Sequence, residues 1–196
     1  MSSFTSSSES EIMNTKQIGI YFCSDPHFGH ANIIKYCNRP FKNVEEMDEA
    51  LIKNWNDKVK SEDTIYITGD VFFHQEAKAI EILSRLNGKK ILIYGNHDKP
   101  IKRSKTLQSM FEKCCDYEEI WIGDQFIVMS HYAMIVWNKS HRGSFMIHGH
   151  SHGGLKYPIE GKILDVGIDA HNYAPISYEK VKSILDKKIT QPVDHL

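Results

Sequence analysis

The chain has 196 residues, a formal net charge of −1, 41% hydrophobic and 25% charged side chains. That balance fits a folded globular chain and excludes a disordered one; no apolar run approaches the ~20 residues of a membrane span. A charge so near zero also excludes a global pull toward nucleic acid or an anionic membrane, so any basic surface must be local.

The elements are read in chain order. Residues 1–16 form a serine-rich stretch without the basic and apolar regions of a secretory signal, and are expected to be a disordered tail; residues 17–196 are expected to form one domain. Gln17 to Cys23 is a short apolar, β-branched and aromatic run, a buried strand. It leads into Asp25-Pro26-His27-Phe28-Gly29-His30, where Pro26 and Gly29 mark a turn. Ala31 to Tyr36 reads as a short helix ending near Asn38-Arg39-Pro40. Val44, Met47, Leu51, Trp55 and Val59 recur at helical spacing behind Asn43, a fitting N-cap.

Thr64 to Thr68 is a second strand running into Gly69-Asp70, and Gln75 to Leu86 an amphipathic helix. Lys90 to Tyr94 is a third strand, followed by Gly95-Asn96-His97-Asp98; Pro100 to Lys113 reads as helix. Asp116 to Ile122 and Gln125 to Met129 read as a hairpin turning at Gly123-Asp124, with Ser130-His131-Tyr132 after it. Ser144 to His148 is a strand leading into Gly149-His150-Ser151-His152. Leu155 to Leu164 holds two short β-like runs around Glu160-Gly161, and Ser177 to Lys187 is a final helix. The first half therefore predicts crossover units with parallel pairing, the second half antiparallel pairing. Together they predict an α/β fold, a two-sheet mixed β-sandwich flanked by helices in an α-β-β-α arrangement.

Polar residues gather at the carboxyl ends of the predicted strands: Asp25 and His27, Asp70, Asn96 and His97, His131, His150 and His152. Ligands of open α/β sheets bind beyond those ends. Each residue alone has a structural reading: a helix cap for Asp25, a turn for Asp70, a left-handed position for Asn96, a core histidine for His131. His148, His150 and His152 would share one side of an extended chain, and either converge on a cation or lie in a His-rich surface loop. Jointly, carboxylate, imidazole and amide oxygen suit a pair of Mn²⁺, Fe²⁺ or Zn²⁺ ions. Cys23, Cys37, Cys114 and Cys115 form no C-x-x-C pattern and read as reduced thiols of a cytoplasmic chain.

Asp25-x-His27, Gly69-Asp70, Gly95-Asn96-His97-Asp98, His131 and Gly149-His150-Ser151-His152, in this order, resemble the calcineurin-like metallophosphoesterase superfamily. The opening D-x-H-F-G-H and the segment Cys37 to Phe41 resemble more narrowly its small single-domain bacterial and phage members. The resemblance implies two divalent ions, Mn²⁺ first, with Fe²⁺, Zn²⁺ or Ni²⁺ as alternatives. Asp25, His27 and His152 would hold one, and Asn96, His131 and His150 the other. Asp70 would bridge them, since a carboxylate has two oxygens to share. His148 would stay on its strand as a packed residue. His97 would face the substrate, with Asp98 orienting it and raising its pKa. The resemblance further implies attack of a metal-bridging hydroxide in line on phosphorus.

Outside the core motif, Arg39, His30 and Arg142 are candidate substrate-binding residues, the arginines because a guanidinium takes two phosphate oxygens at once; a solvated or salt-bridged arginine is the structural reading of either. The activity implied is hydrolysis of phosphodiester or phosphomonoester bonds, with nucleotide-like substrates favoured. A nuclease acting on DNA or RNA through the same site is an alternative, with nucleic acid as its partner. An inactive interaction module is the other, disfavoured because every expected ligand position is filled. No membrane partner is expected.

Overall fold

Alternation along short apolar strands builds two sheets that share one core. The computed structural model describes residues 18–155 and 160–192. The serine-rich stretch and the first of the β-like runs after Leu155 lie outside the described residues. Nine strands are described: β1 (Ile20–Cys23), β2 (Thr64–Ile67), β3 (Lys89–Ile93), β4 (Lys113–Cys115), β5 (Glu118–Ile122), β6 (Gln125–Met129), β7 (Phe145–His148), β8 (Ile163–Asp165) and β9 (Ile176–Ser177). The α-helices are α1 (Ala31–Tyr36), α2 (Val44–Lys58), α3 (Glu76–Arg85), α4 (Lys99–Arg103), α5 (Lys105–Gln108) and α6 (Tyr178–Leu185).

One sheet runs β4-β3-β2-β1-β9, parallel except for antiparallel β9; the other runs β5-β6-β7-β8. The second sheet departs from the antiparallel expectation. Only β5 and β6 pair antiparallel, while β6, β7 and β8 are parallel. The reason is the length of the connections: residues 130–144 and 149–162 are crossovers, not hairpin turns. The helix expected from Pro100 to Lys113 is also broken. Ser104 ends α4, caps α5 by accepting the Leu107 N–H at 3.1 Å, and the chain then enters β4.

Side chains alternate as a strand requires. Cys23, Ile65, Ile67 and Leu92 pack against Met47, Leu51, Trp55, Ile82 and Leu83 of α2 and α3. Phe22 and Ile93 face the other way and meet Ile127, Met129, Phe145 and Ile147 between the sheets, where Val181 and Leu185 of α6 join them. Phe126, Val128 and Met146 point outward from the second sheet and are covered by Trp137, Ala133 and Met134 of the β6–β7 crossover. The sheets are tied at the bridge between Ser24 and Gly167, which follow β1 and β8. This brings the carboxyl ends of β1, β2, β3, β6, β7 and β8 to one rim.

Helix α2 packs on the first sheet through Met47, Leu51 and Trp55 and begins at Asn43, whose side chain accepts the Glu46 N–H at 2.9 Å. Asn43→Ala should lower stability by about 1 kcal/mol. Urea denaturation measures this directly; an unchanged midpoint would show that the cap contributes nothing.

Candidate metal centre

The loops leaving the strands are stitched by main-chain bonds. Asp25 N–H donates to Gly69 O at 3.0 Å, His27 N–H to Asp70 O at 3.1 Å, and Gly149 N–H to His131 O at 3.0 Å. Asp25, His27, Asp70, His150 and His152 all have left-handed backbone, with φ between 49° and 67°. Such positions are costly for residues with side chains and cluster at functional sites. Gly149 is needed for another reason: a Cβ there would lie 1.8 Å from Ser24 Oγ and 2.5 Å from Asp25 Oδ2.

The side chains form two neighbouring groups. Asp25, His27 and His152 offer atoms within 4.8 Å of one another, and so do Asp70, His131 and His150. Asp70 Oδ2 stands between them, 3.8 Å from His27 Nε2 and 3.5 Å from His131 Nε2. Its other oxygen accepts the His97 N–H at 2.8 Å. One oxygen of Asp70 thus faces both groups, and the other accepts a backbone N–H. Asn96 Oδ1 lies 2.9 Å from His131 Nε2 and joins the second group.

These donor atoms fit divalent ions. Buried Asp25 Oδ1 and both ring nitrogens of His27 have no hydrogen-bond partner. A buried polar atom left so is costly unless something binds it. His131 Nδ1 lies 2.7 Å from Thr68 O, and His152 Nδ1 lies 2.7 Å from an oxygen of Asp169. Each contact places the ring proton on Nδ1 and frees Nε2 as a ligand atom. Burial pushes the Asp25 carboxyl up, but the surrounding His27, His152 and His131 imidazoles and the Ser24 hydroxyl hold it below the usual range. Burial, then the neighbouring His131, lowers His150. Burial would lower His152 as well, but the Asp169 and Asp25 carboxylates hold it above its ordinary value.

Three expected roles change. Arg39 is no substrate ligand. Its buried guanidinium takes both oxygens of Asp169 at 2.8 Å and donates to Pro26 O and Asp25 O, both at 2.8 Å. Arg142 precedes β7 and lies at the sheet's amino end, whereas the site lies beyond its carboxyl end. Asp98 does not orient His97. It is buried, and its oxygens accept the N–H groups of Asp70 and Gly95 at 2.8 Å and of Val71 at 2.9 Å. Burial still raises its carboxyl pKa despite those bonds. His148 is buried on β7, its Nδ1 2.9 Å from Gly149 O.

His97 and His30 remain at the rim. The His97 side chain is 45% exposed, with Nε2 3.9 Å from Asp70 Oδ2. His30 stacks on Phe73 at 3.8 Å, and burial, then His27, pushes it down to about 4. Sequence reasoning missed Asp169, Phe73 and Tyr132. Asp169 carried the same signal as the others, an acidic residue just past a β-run. Phe73 lies 4.8 Å from His97, and Tyr132 donates to Asn96 Oδ1 at 3.2 Å. Nothing in their own spacing marks these two.

Residues 18–158 match the family model for calcineurin-like phosphoesterases. The chain belongs to that family. An uncharacterized protein of Methanocaldococcus jannaschii is 36% identical over 185 residues, covering 90% of this chain and 97% of that one. The gene 66 protein of Mycobacterium phage L5 is 28% identical, covering 76% of this chain and 86% of its own. Among solved structures, a protein of unknown function from Aquifex aeolicus is 28% identical with a TM-score of 0.66, covering 86% of this chain and all of its own. The family depends on metal, and this calcineurin-like phosphoesterase has the two ligand groups described above.

Arg39→Lys cannot hold both oxygens of Asp169, so divalent-ion affinity should fall by ~10–100-fold, as for other residues that orient a ligand. Arg142→Ala should leave it unchanged. Calorimetric titration with Mn²⁺ measures both; equal affinities for wild type and Arg39→Lys would contradict the account of the clamp.

Proposed function

We propose that this chain is a metal-dependent phosphoric ester hydrolase acting on phosphodiester or phosphomonoester bonds of nucleotide-like substrates. The observation that carries this reading is Asp70 Oδ2, set between two groups of imidazoles with His97 at its side. Asp25, His27 and His152 would hold one ion, and Asn96, His131 and His150 the other, with Asp70 touching both. Bound divalent ions, Mn²⁺ foremost for this donor set, would supply an activated hydroxide and neutralise phosphoryl charge.

The chain's own residues do the rest. Asp98 keeps the loops after β2 and β3 together through three backbone bonds. Thr68 and Asp169 set the tautomers of His131 and His152. The exposure of His97 at the rim supports a role for it as donor to a phosphoryl oxygen or to the departing oxygen. In the overall reaction water forms a new bond to phosphorus, the bond to the leaving oxygen breaks, and that oxygen takes a proton. A diester gives a monoester and an alcohol. We place the protein in the cytoplasm, since all four cysteines are free thiols. Among the described residues no helix is long and apolar enough to cross a membrane.

Bis-p-nitrophenyl phosphate and p-nitrophenyl phosphate, each with Mn²⁺, provide the first test. Turnover of at least one, abolished by chelator, is expected; no turnover of either across several divalent metals would sink the reading. The proposed roles separate two variants. Asp70→Asn should lose ions from both groups together with nearly all activity. His97→Ala should keep its metal content while turnover falls by roughly 10²–10⁴. Metal loss in His97→Ala, measured by elemental analysis, would overturn its role.

A further inference from the structure

Beside His97 a cavity of about 500 Å³ opens between the segment after β2 and helices α4 and α5. That size lies within the ~300–1,000 Å³ of ordinary small-ligand pockets. His97 and Phe73, whose rings lie 4.8 Å apart, line this cavity and also stand at the rim of the metal centre, so the two spaces adjoin. Its floor is apolar, formed by Ala79, Ile101 and Leu107, all buried. Phe73 adds an aromatic ring to the wall, one face covered by the stacked His30 and the rest of the ring partly exposed. Aromatic side chains at such positions hold nucleobases irrespective of sequence.

The polar groups of the wall narrow the ligand. Arg103 is exposed, and among the described residues its guanidinium has no ion-pair or hydrogen-bond partner. The neighbouring Lys102, by contrast, is paired with Asp116. A free guanidinium suits a phosphate. Glu76 stands in the same wall and accepts the Ser104 hydroxyl at 2.9 Å. Its carboxylate disfavours a bare anion and favours a ligand that brings hydroxyl or amino donors as well. An apolar floor, an aromatic wall, one acceptor and one cation together describe a nucleoside carrying a phosphate.

We propose that this cavity receives the leaving nucleoside of a phosphodiester, with its base or sugar against Phe73 and its next phosphate on Arg103. This rests on the phosphoesterase reading of the metal centre and deepens it. The preferred substrates are then short single-stranded oligonucleotides with a phosphate beyond the scissile one, on the leaving side. The near-neutral chain and the single free cation of the cavity suit such a ligand better than a long duplex.

The test compares kcat/KM on a dinucleoside monophosphate with that on the same compound carrying an extra phosphate at its 5′ or its 3′ end, using Mn²⁺-loaded protein. One of the two phosphorylated forms should be cut about tenfold better, and Arg103→Gln should erase that ratio while Arg103→Lys restores part of it. Equal values for all three compounds, or a ratio that survives Arg103→Gln, would overturn the proposal. A second measurement does not depend on turnover: calorimetric binding of adenosine 3′-monophosphate, adenosine 5′-monophosphate and inorganic phosphate to protein without added metal. At least one nucleotide should bind about tenfold more tightly than inorganic phosphate and lose that advantage in Arg103→Gln. Nucleotide affinities unchanged by Arg103→Gln would overturn the cavity assignment, and failure to cut any ester with this binding intact would fault the phosphoesterase reading instead.

Discussion

Burying carboxylates without neutralising them is the constraint on which the structure turns. Asp25, Asp70 and Asp98 are each almost fully buried in the loops after β1, β2 and β3. An isolated buried charge is very costly, so each must be met by hydrogen-bond donors or cations. Asp98 is met completely, by three backbone amides from two loops. Asp25 and Asp70 are met only in part. One oxygen of each takes a backbone N–H, from His150 and His97 respectively, at 2.8 Å. The other oxygen of each faces imidazole nitrogens. The polypeptide thus satisfies the outer half of these carboxylates and leaves the inner half to whatever the imidazoles also bind.

The same economy of partners extends outward along one chain of contacts. His152 rests on Asp169, Asp169 on Arg39, and Arg39 on the carbonyls of Pro26 and Asp25. The links join the loops after β1, β7 and β8, so the first ligand group is held from behind by a buried ion pair. In that position Arg39 is a positioning residue. Burying it is tolerable because it makes five hydrogen bonds, including one to Met47 Sδ at 3.5 Å. The second group relies on neutral partners, with Thr68 O behind His131 and the Tyr132 hydroxyl beside Asn96.

Much of this was legible in the sequence, for identifiable reasons. Strands β1, β2, β3, β6 and β7 are short apolar runs ending in glycine or small polar residues, and their carboxyl ends carry the polar set. Helix α2 was readable from its period and from Asn43. The direction of pairing in the second sheet was not readable, because it depends on where the chain returns after residues 130–144 and 149–162 and not on local pattern. Strand β4 was hidden for a related reason. Lys113-Cys114-Cys115 has no strong β signature and becomes a strand by pairing with β3. The phosphate reading of the two arginines rested on residue type, while their use is set by where the fold puts them. Arg39 is enclosed by Asp169 and Met47, and Arg142 lies at the wrong end of β7. Asp98 misled because adjacency to His97 along the chain is not contact in space.

Left-handed backbone at Asp25, His27, Asp70, His150 and His152 ties fold to chemistry, since the conformation is uphill unless surrounding bonds and a bound group hold it. The central claim is that these residues converge on two ions sharing Asp70 Oδ2. The most direct measurement is a crystal structure of the Mn²⁺-loaded protein with anomalous scattering recorded at the manganese edge. The account predicts two peaks ~3.5–4 Å apart, one on each side of that oxygen. A single peak, or two peaks that leave Asp70 untouched, would contradict it.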